Sequence, residues 1–80
     1  VTDSVNTADR HPAVASLLRY FAWQHLPSHL QGVSSQCSVL AYEMADNLPN
    51  GLELTTGLRK LLEAKDCFVR AALDAPKTDD

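Results

Sequence analysis

Apolar positions recur at helical spacing along three stretches of this chain, separated by proline- and glycine-bearing segments. The first stretch opens at His11-Pro12, with proline at the first helical position, where its missing N–H costs nothing. It continues through Trp23, with Val14, Leu17, Leu18 and Phe21 on one face and Arg19, Tyr20 and Trp23 on another. His25-Leu26-Pro27 ends it, because proline disfavours helix in the residue before it. The second stretch starts at Ser28, a good N-cap with Gln31 as capping-box partner, and runs to about Asn47. Its expected apolar stripe is Leu30, Val33, Cys37, Leu40, Ala41, Met44 and Leu48. Val39 and Tyr42 lie off that stripe as a second contact face. Gly32 and the serines Ser34, Ser35 and Ser38 lower helix propensity, so tertiary packing must hold this segment.

Leu48-Pro49-Asn50-Gly51 is the clearest turn. A third helix is expected from about Leu52 to Asp74, with Leu58, Leu61, Leu62, Val69 and Ala72 on one stripe. Asp66 and Arg70 have the favourable acid-first order of an i,i+4 pair. No stretch alternates apolar and polar residues with β-branched enrichment, so no strand is expected. The fold class is therefore all-α. Two helices of similar length joined by a short turn make an antiparallel helical hairpin, with an additional N-terminal helix packed on it or on a neighbouring subunit.

The 80 residues make one domain at most. Residues 1–10 and 75–80 are polar and aperiodic, and both read as disordered ends around a domain at 11–74. So short a stretch is marginal for a monomeric core, and assembly as a homo-oligomer is the expected source of further burial. Cys37 and Cys67 make no metal-ligand or redox motif. No apolar run approaches the length of a membrane span and no signal peptide is evident, so a cytoplasmic protein with reduced thiols is expected.

The formal charge is −3. Between His11 and Leu73, five basic residues (Arg19, Arg59, Lys60, Lys65, Arg70) balance five acids (Glu43, Asp46, Glu53, Glu63, Asp66). This is not the basic footprint of a protein that binds long nucleic acid. A small anion suits it better, because four of the five cations lie between Arg59 and Arg70.

Lys65 stands near the middle of the third apolar stripe, where an aliphatic residue belongs. Either its stem covers apolar surface while the ammonium reaches water or a carboxylate such as Glu43 or Asp46, or it meets a phosphate in an inter-subunit pocket. Arg59 and Lys60 project about 100° apart, so one protomer cannot aim both at one phosphate with Lys65. They form either an ordinary solvated face or, in a symmetric oligomer, contributions from different protomers. Tyr20 and Trp23, with Arg19 beside them and His25 after, suit a nucleobase and its phosphate; the plainer reading is packing between subunits. His25 and His29 have ligand spacing, but Pro27 breaks the helix between them and no third ligand is near, so no metal site is expected. No Ser–His–acid set and no glycine-rich phosphate loop is present, no cofactor is implied, and no enzyme is expected.

Three segments together resemble a family. They are Trp23-Gln24-His25-Leu26-Pro27, then Leu48-Pro49-Asn50-Gly51-Leu52-Glu53 after the intervening helix, then Gly57-Leu58-Arg59-Lys60-Leu61-Leu62-Glu63-Ala64. They look like the small phage anti-CBASS and anti-Thoeris sponge proteins that share a helical-hairpin domain, over about residues 18–73. The resemblance implies a cytoplasmic protein of an infected bacterial host that binds cyclic oligonucleotide or cyclic ADP-ribose type signals without cleaving them. It implies a homo-oligomer, often a hexamer, with cyclic di- or trinucleotide pockets between protomers. By position it makes Trp23 the stacking residue, with Tyr20 second, and Arg59 and Lys60 the basic pair that meets phosphates; His25 and Lys65 join them as ligand-binding candidates on their own chemistry. This chain departs from the pattern in its additional helix at 11–22, in Gln24 between Trp23 and His25, and in Lys65, where the family pattern is apolar. The alternative is an oligomeric helical protein-binding adaptor with no nucleotide ligand, docking through Arg19, Tyr20 and Trp23.

Overall fold

The computed structural model describes residues 10–74; of the ends expected to be disordered, 1–10 and 75–80, residues 1–9 and 75–80 lie outside the described residues, whereas Arg10 is held against α2. Three α-helices and one 3₁₀ turn make up the described chain, and no strand occurs among these residues. They are α1 (Pro12–Leu18), a 3₁₀ turn (Arg19–Phe21), α2 (Ser28–Asn47) and α3 (Leu52–Asp74). The protein is all-α.

Each helix end follows from local chemistry. His11 caps α1: its Nδ1 accepts from the Ala13 N–H at 3.0 Å, and Pro12 holds the first helical position. The helix is shorter than its apolar spacing predicts. It tightens into the 3₁₀ turn at Arg19 and ends where Ala22 turns extended (ψ 140°). The capping box expected at Ser28 does not form. Ser28 is already helical, and Pro27 precedes it without a side-chain cap. Gln31 instead donates backwards to the Leu26 carbonyl at 2.9 Å and the Gln24 carbonyl at 3.3 Å, tying the 22–27 segment to the first turn of α2. At the other end of α2 the Asn47 side chain donates to the Glu43 carbonyl at 2.8 Å. Thr55 opens α3, its amide and hydroxyl both donating to the Gly51 carbonyl.

The core is Val14, Leu18 and Phe21 from the first segment, Cys37, Ala41 and Ala45 from α2, and Leu54 and Leu58 from α3. α1 packs against both α2 and α3 of its own chain. Its position also rotates the buried stripe of α2 away from the one expected. Ser34, Cys37, Ser38, Ala41 and Ala45 are buried, whereas Leu40 and Leu48 are exposed. Small side chains on that face let α1 approach closely, and helix spacing follows the size of the contact residues. The larger aliphatics are left on the opposite side of the α2–α3 pair. Arg10 pins the start of α1 to α2, pairing with the Asp46 carboxylate and lying over the Tyr42 ring at 5.0 Å.

Candidate functional site

Lys65 meets neither Glu43 nor Asp46. Asp46 is taken by Arg10, and the Lys65 Nζ donates to the Tyr20 carbonyl at 2.8 Å. That carbonyl belongs to the 3₁₀ turn that ends the first helical segment, where carbonyls have no helical partner. A cation suits a helix C-terminus, because the carbonyl dipoles there point outward. The ammonium also lies 5.8 Å from the centre of the Phe21 ring and 3.7 Å from the Asp66 carboxylate. The lysine on the apolar stripe is therefore a tertiary cap: its stem crosses the core edge and its head holds the 3₁₀ turn onto α3. Replacing it with methionine keeps the apolar stem and removes the cap. Lys65→Met is expected to cost about 1–2 kcal/mol in urea unfolding, with Lys65→Arg milder.

Around this contact lies a pocket of about 400 Å³ between the 3₁₀ turn, the 22–27 segment and one flank of α3. Arg19, Tyr20 and His25 line it from the N-terminal side, and Lys65, Asp66 and Arg70 from α3. Three cations thus face one carboxylate in a chain whose overall charge is negative. Arg70 does not pair with Asp66 as their spacing predicts, and its guanidinium donates to Cys67 Sγ at 3.3 Å. The Arg19 guanidinium lies 5.7 Å from the Tyr20 ring centre, and that ring is more than half exposed.

Ser34 also lines this pocket, from α2. It is fully buried and its Oγ meets no protein hydrogen-bond partner. A helical serine commonly bonds the carbonyl four residues back; this one does not, although leaving a buried hydroxyl unmatched costs about 1–3 kcal/mol. Ser34 is the residue sequence reasoning missed. Its only trace there is a run of serines that weakens α2.

Of the residues singled out from sequence, Tyr20, His25 and Lys65 come together here. Trp23 is half-buried and outside the pocket. Arg59 and Lys60 are exposed on α3, about 9 Å and 7.5 Å along the helix from Lys65 at 1.5 Å per residue. They also project well away from it, by about 120° and 140°. Arg19 and Arg70 line the pocket, and Arg59 and Lys60 do not. No cluster of three or more His, Cys, Asp or Glu side chains suited to a metal occurs among the described residues. No helix among them is long and apolar enough to cross a membrane.

Behind the pocket, burial pushes the Cys37 thiol above its usual range, and the Lys65 ammonium partly offsets this. The unfolded chain therefore loses this proton at lower pH than the folded one. The resulting stability is present below the ordinary thiol pKa of 9.0 and fades as pH rises above it. Near neutral pH, a thiol reagent such as a maleimide should modify exposed Cys67 quickly and Cys37 at the rate of unfolding. Mass spectrometry of the digested protein reads the two sites separately.

Compared with models of protein families, with curated proteins and with solved structures, the chain matches none.

Proposed function

We propose that this protein binds and sequesters a small phosphate-bearing signal, of the cyclic oligonucleotide or cyclic ADP-ribose type, without cleaving it. The observation that supports the reading is the pocket by the 3₁₀ turn. It offers three cations for phosphate oxygens, an exposed aromatic face for a base, and a buried serine hydroxyl with no protein partner. Arginine forks and a lysine point charge are the side chains that suit phosphate, and base–aromatic stacking tolerates any base. His25 is the one imidazole beside the pocket, and nothing in the arrangement aligns a nucleophile with it. Sequestration requires only affinity and copy number, so an absence of catalytic groups costs it nothing.

On this reading α2 and α3 are the antiparallel hairpin of a phage immune-evasion protein that works as a homo-oligomer in the cytoplasm of an infected bacterium. The ligand-contacting residues are Arg19, Tyr20, His25, Ser34, Lys65 and Arg70. Trp23, Arg59 and Lys60 take no part unless a second protomer brings them to the pocket.

Isothermal titration with a panel of cyclic di- and trinucleotides and cyclic ADP-ribose isomers tests the reading. Saturable binding, with the ligand recovered intact after heat denaturation of the protein, is expected. No binding across the panel by folded protein overturns it. Recovery of a cleaved ligand overturns the sequestration mechanism while keeping the site.

A further inference from the structure

The core of this protein is one-sided. α1 covers one face of the α2–α3 pair, and the opposite face is left with two apolar hollows of about 670 Å³ and 600 Å³. The two share Leu40 and Leu61 as a common wall, so they form one continuous surface along the helices. Leu48 and Leu52 extend it toward the turn, and Phe68 toward the end of α3. Leu40, Leu48, Leu52 and Phe68 are all more than two-fifths exposed, an unusual concentration of large apolar side chains for so small a chain.

We propose that a second copy of this chain covers the face, the two α2–α3 pairs packing as a four-helix bundle with α1 on the outside of each. Three observations select this occupant. First, the flanking segments 1–9 and 75–80 hold only Val1 and Val5 as large aliphatic side chains, too few to fill hollows of this volume. Second, a face that meets its own copy about a two-fold axis sets like against like, so charges near the axis would repel. Glu53 is the single residue lining either hollow that carries a charge at neutral pH, since the Cys37 thiol stays protonated there, and it lies at the turn end, away from Leu40 and Leu61. Third, two adjacent helices of about 20 residues present a face about 30 Å by 20 Å. With side-chain relief, its accessible area approaches the roughly 800 Å² per partner of a stable interface.

The pairing leaves the cationic pocket free. Phe68 and Arg70 are two residues apart and project about 160° from one another around α3, so the rim cation Arg70 points away from the apolar face, while Lys65, about 40° from Leu61, sits between the two. Self-association and ligand binding are therefore separable, and the proposal stands whether or not the ligand reading does.

Sedimentation equilibrium of the full chain is the test, with circular dichroism as the check on folding. The wild type is expected to show at least twice the 8.8 kDa chain mass. Leu40→Glu and Phe68→Glu are expected to weaken association about 30-fold or more while keeping native helicity. A wild type that stays monomeric up to about 1 mM overturns the proposal and assigns the face to a different partner. So do folded variants that associate as tightly as the wild type. Should the variants unfold, the unchanged chain decides through paramagnetic relaxation by a soluble probe. Leu40 and Leu52 methyls, exposed in the single chain, that are shielded relative to exposed Leu73 support the pairing; methyls that relax as fast as those of Leu73 overturn it.

Discussion

Phe21→Ala is expected to destabilise the protein by about 3–5 kcal/mol, the usual loss for removing a fully buried aromatic ring. Phe21 is the largest side chain with no exposure at all. It closes the 3₁₀ turn and inserts between α2 and α3 with Val14 and Leu18. Its removal opens a cavity in a core drawn from the 65 described residues, which has little stability in reserve. The Lys65 ammonium also loses the ring it lies over, so the tertiary cap on Tyr20 weakens with the packing. Urea unfolding followed at 222 nm reads the effect. Phe68→Ala, at an exposed ring on the far flank of α3, serves as the contrast, since substitutions at exposed positions usually stay within about 0.5 kcal/mol. In a paired assembly the same change acts on association, so the comparison is made in dilute solution. Equal losses for the two phenylalanines would mean that the ring of Phe21 is not the keystone of the packing.

The second large effect concerns the ligand. Arg19→Ala and Arg70→Ala are each expected to weaken phosphate-ligand binding by about 10- to 100-fold, the loss of one charge-assisted hydrogen bond. Both residues are exposed at the pocket rim, so unfolding temperatures should barely move, and the affinity loss should shrink as salt screens the wild-type contacts. Arg59→Ala and Lys60→Ala are expected to leave affinity within about threefold, since neither reaches the pocket of its own chain. The opposite pattern, with Arg59 and Lys60 essential and Arg19 and Arg70 dispensable, would move the site to a junction between copies. Ser34→Ala divides the alternatives further. If the hydroxyl contacts ligand, affinity falls while the free protein holds or gains stability, because an unmatched buried polar group disappears. A hydroxyl with no part in binding leaves affinity unchanged.

The helices were legible because their signals are local. Pro12, Pro27 and the Leu48–Gly51 turn mark where helix cannot continue, and the stripe of Leu58, Leu61, Leu62, Val69 and Ala72 repeats at the helical period over about four turns. The end of α1 was not legible. Arg19, Tyr20 and Phe21 continue the α-helical spacing, yet the chain tightens there so that Phe21 reaches the core and Lys65 can cap Tyr20. The buried face of α2 was legible in part, since Leu30, Cys37 and Ala41 are buried as expected, and the rest was misread for a related reason. Hydropathy picks out Leu40 and Leu48, whereas packing chose Ser34, Ser38 and Ala45, whose small side chains admit α1. Hydropathy scores what a side chain gains by burial, and it carries no information on which neighbour will arrive or how close it must come.

The site divides the same way. Lys65 stood out from sequence because a cation on an apolar stripe needs a partner, and that need is a property of the residue itself. Its partner, a carbonyl 45 positions away, is a property of the fold. Tyr20 and His25 were singled out beside Arg19 as near neighbours in sequence, and they share the pocket because one turn and one short segment carry them. Arg70 and Ser34 join them only because α2 and α3 lie side by side. Sequence by itself determined the all-α class, the number of helices and the residue whose burial needed explaining, since these follow from periodicity, proline chemistry and the cost of desolvating charge. The tertiary structure decided which face of α2 is buried, what Lys65 holds, and which cations converge, since each depends on how helices distant in sequence dock.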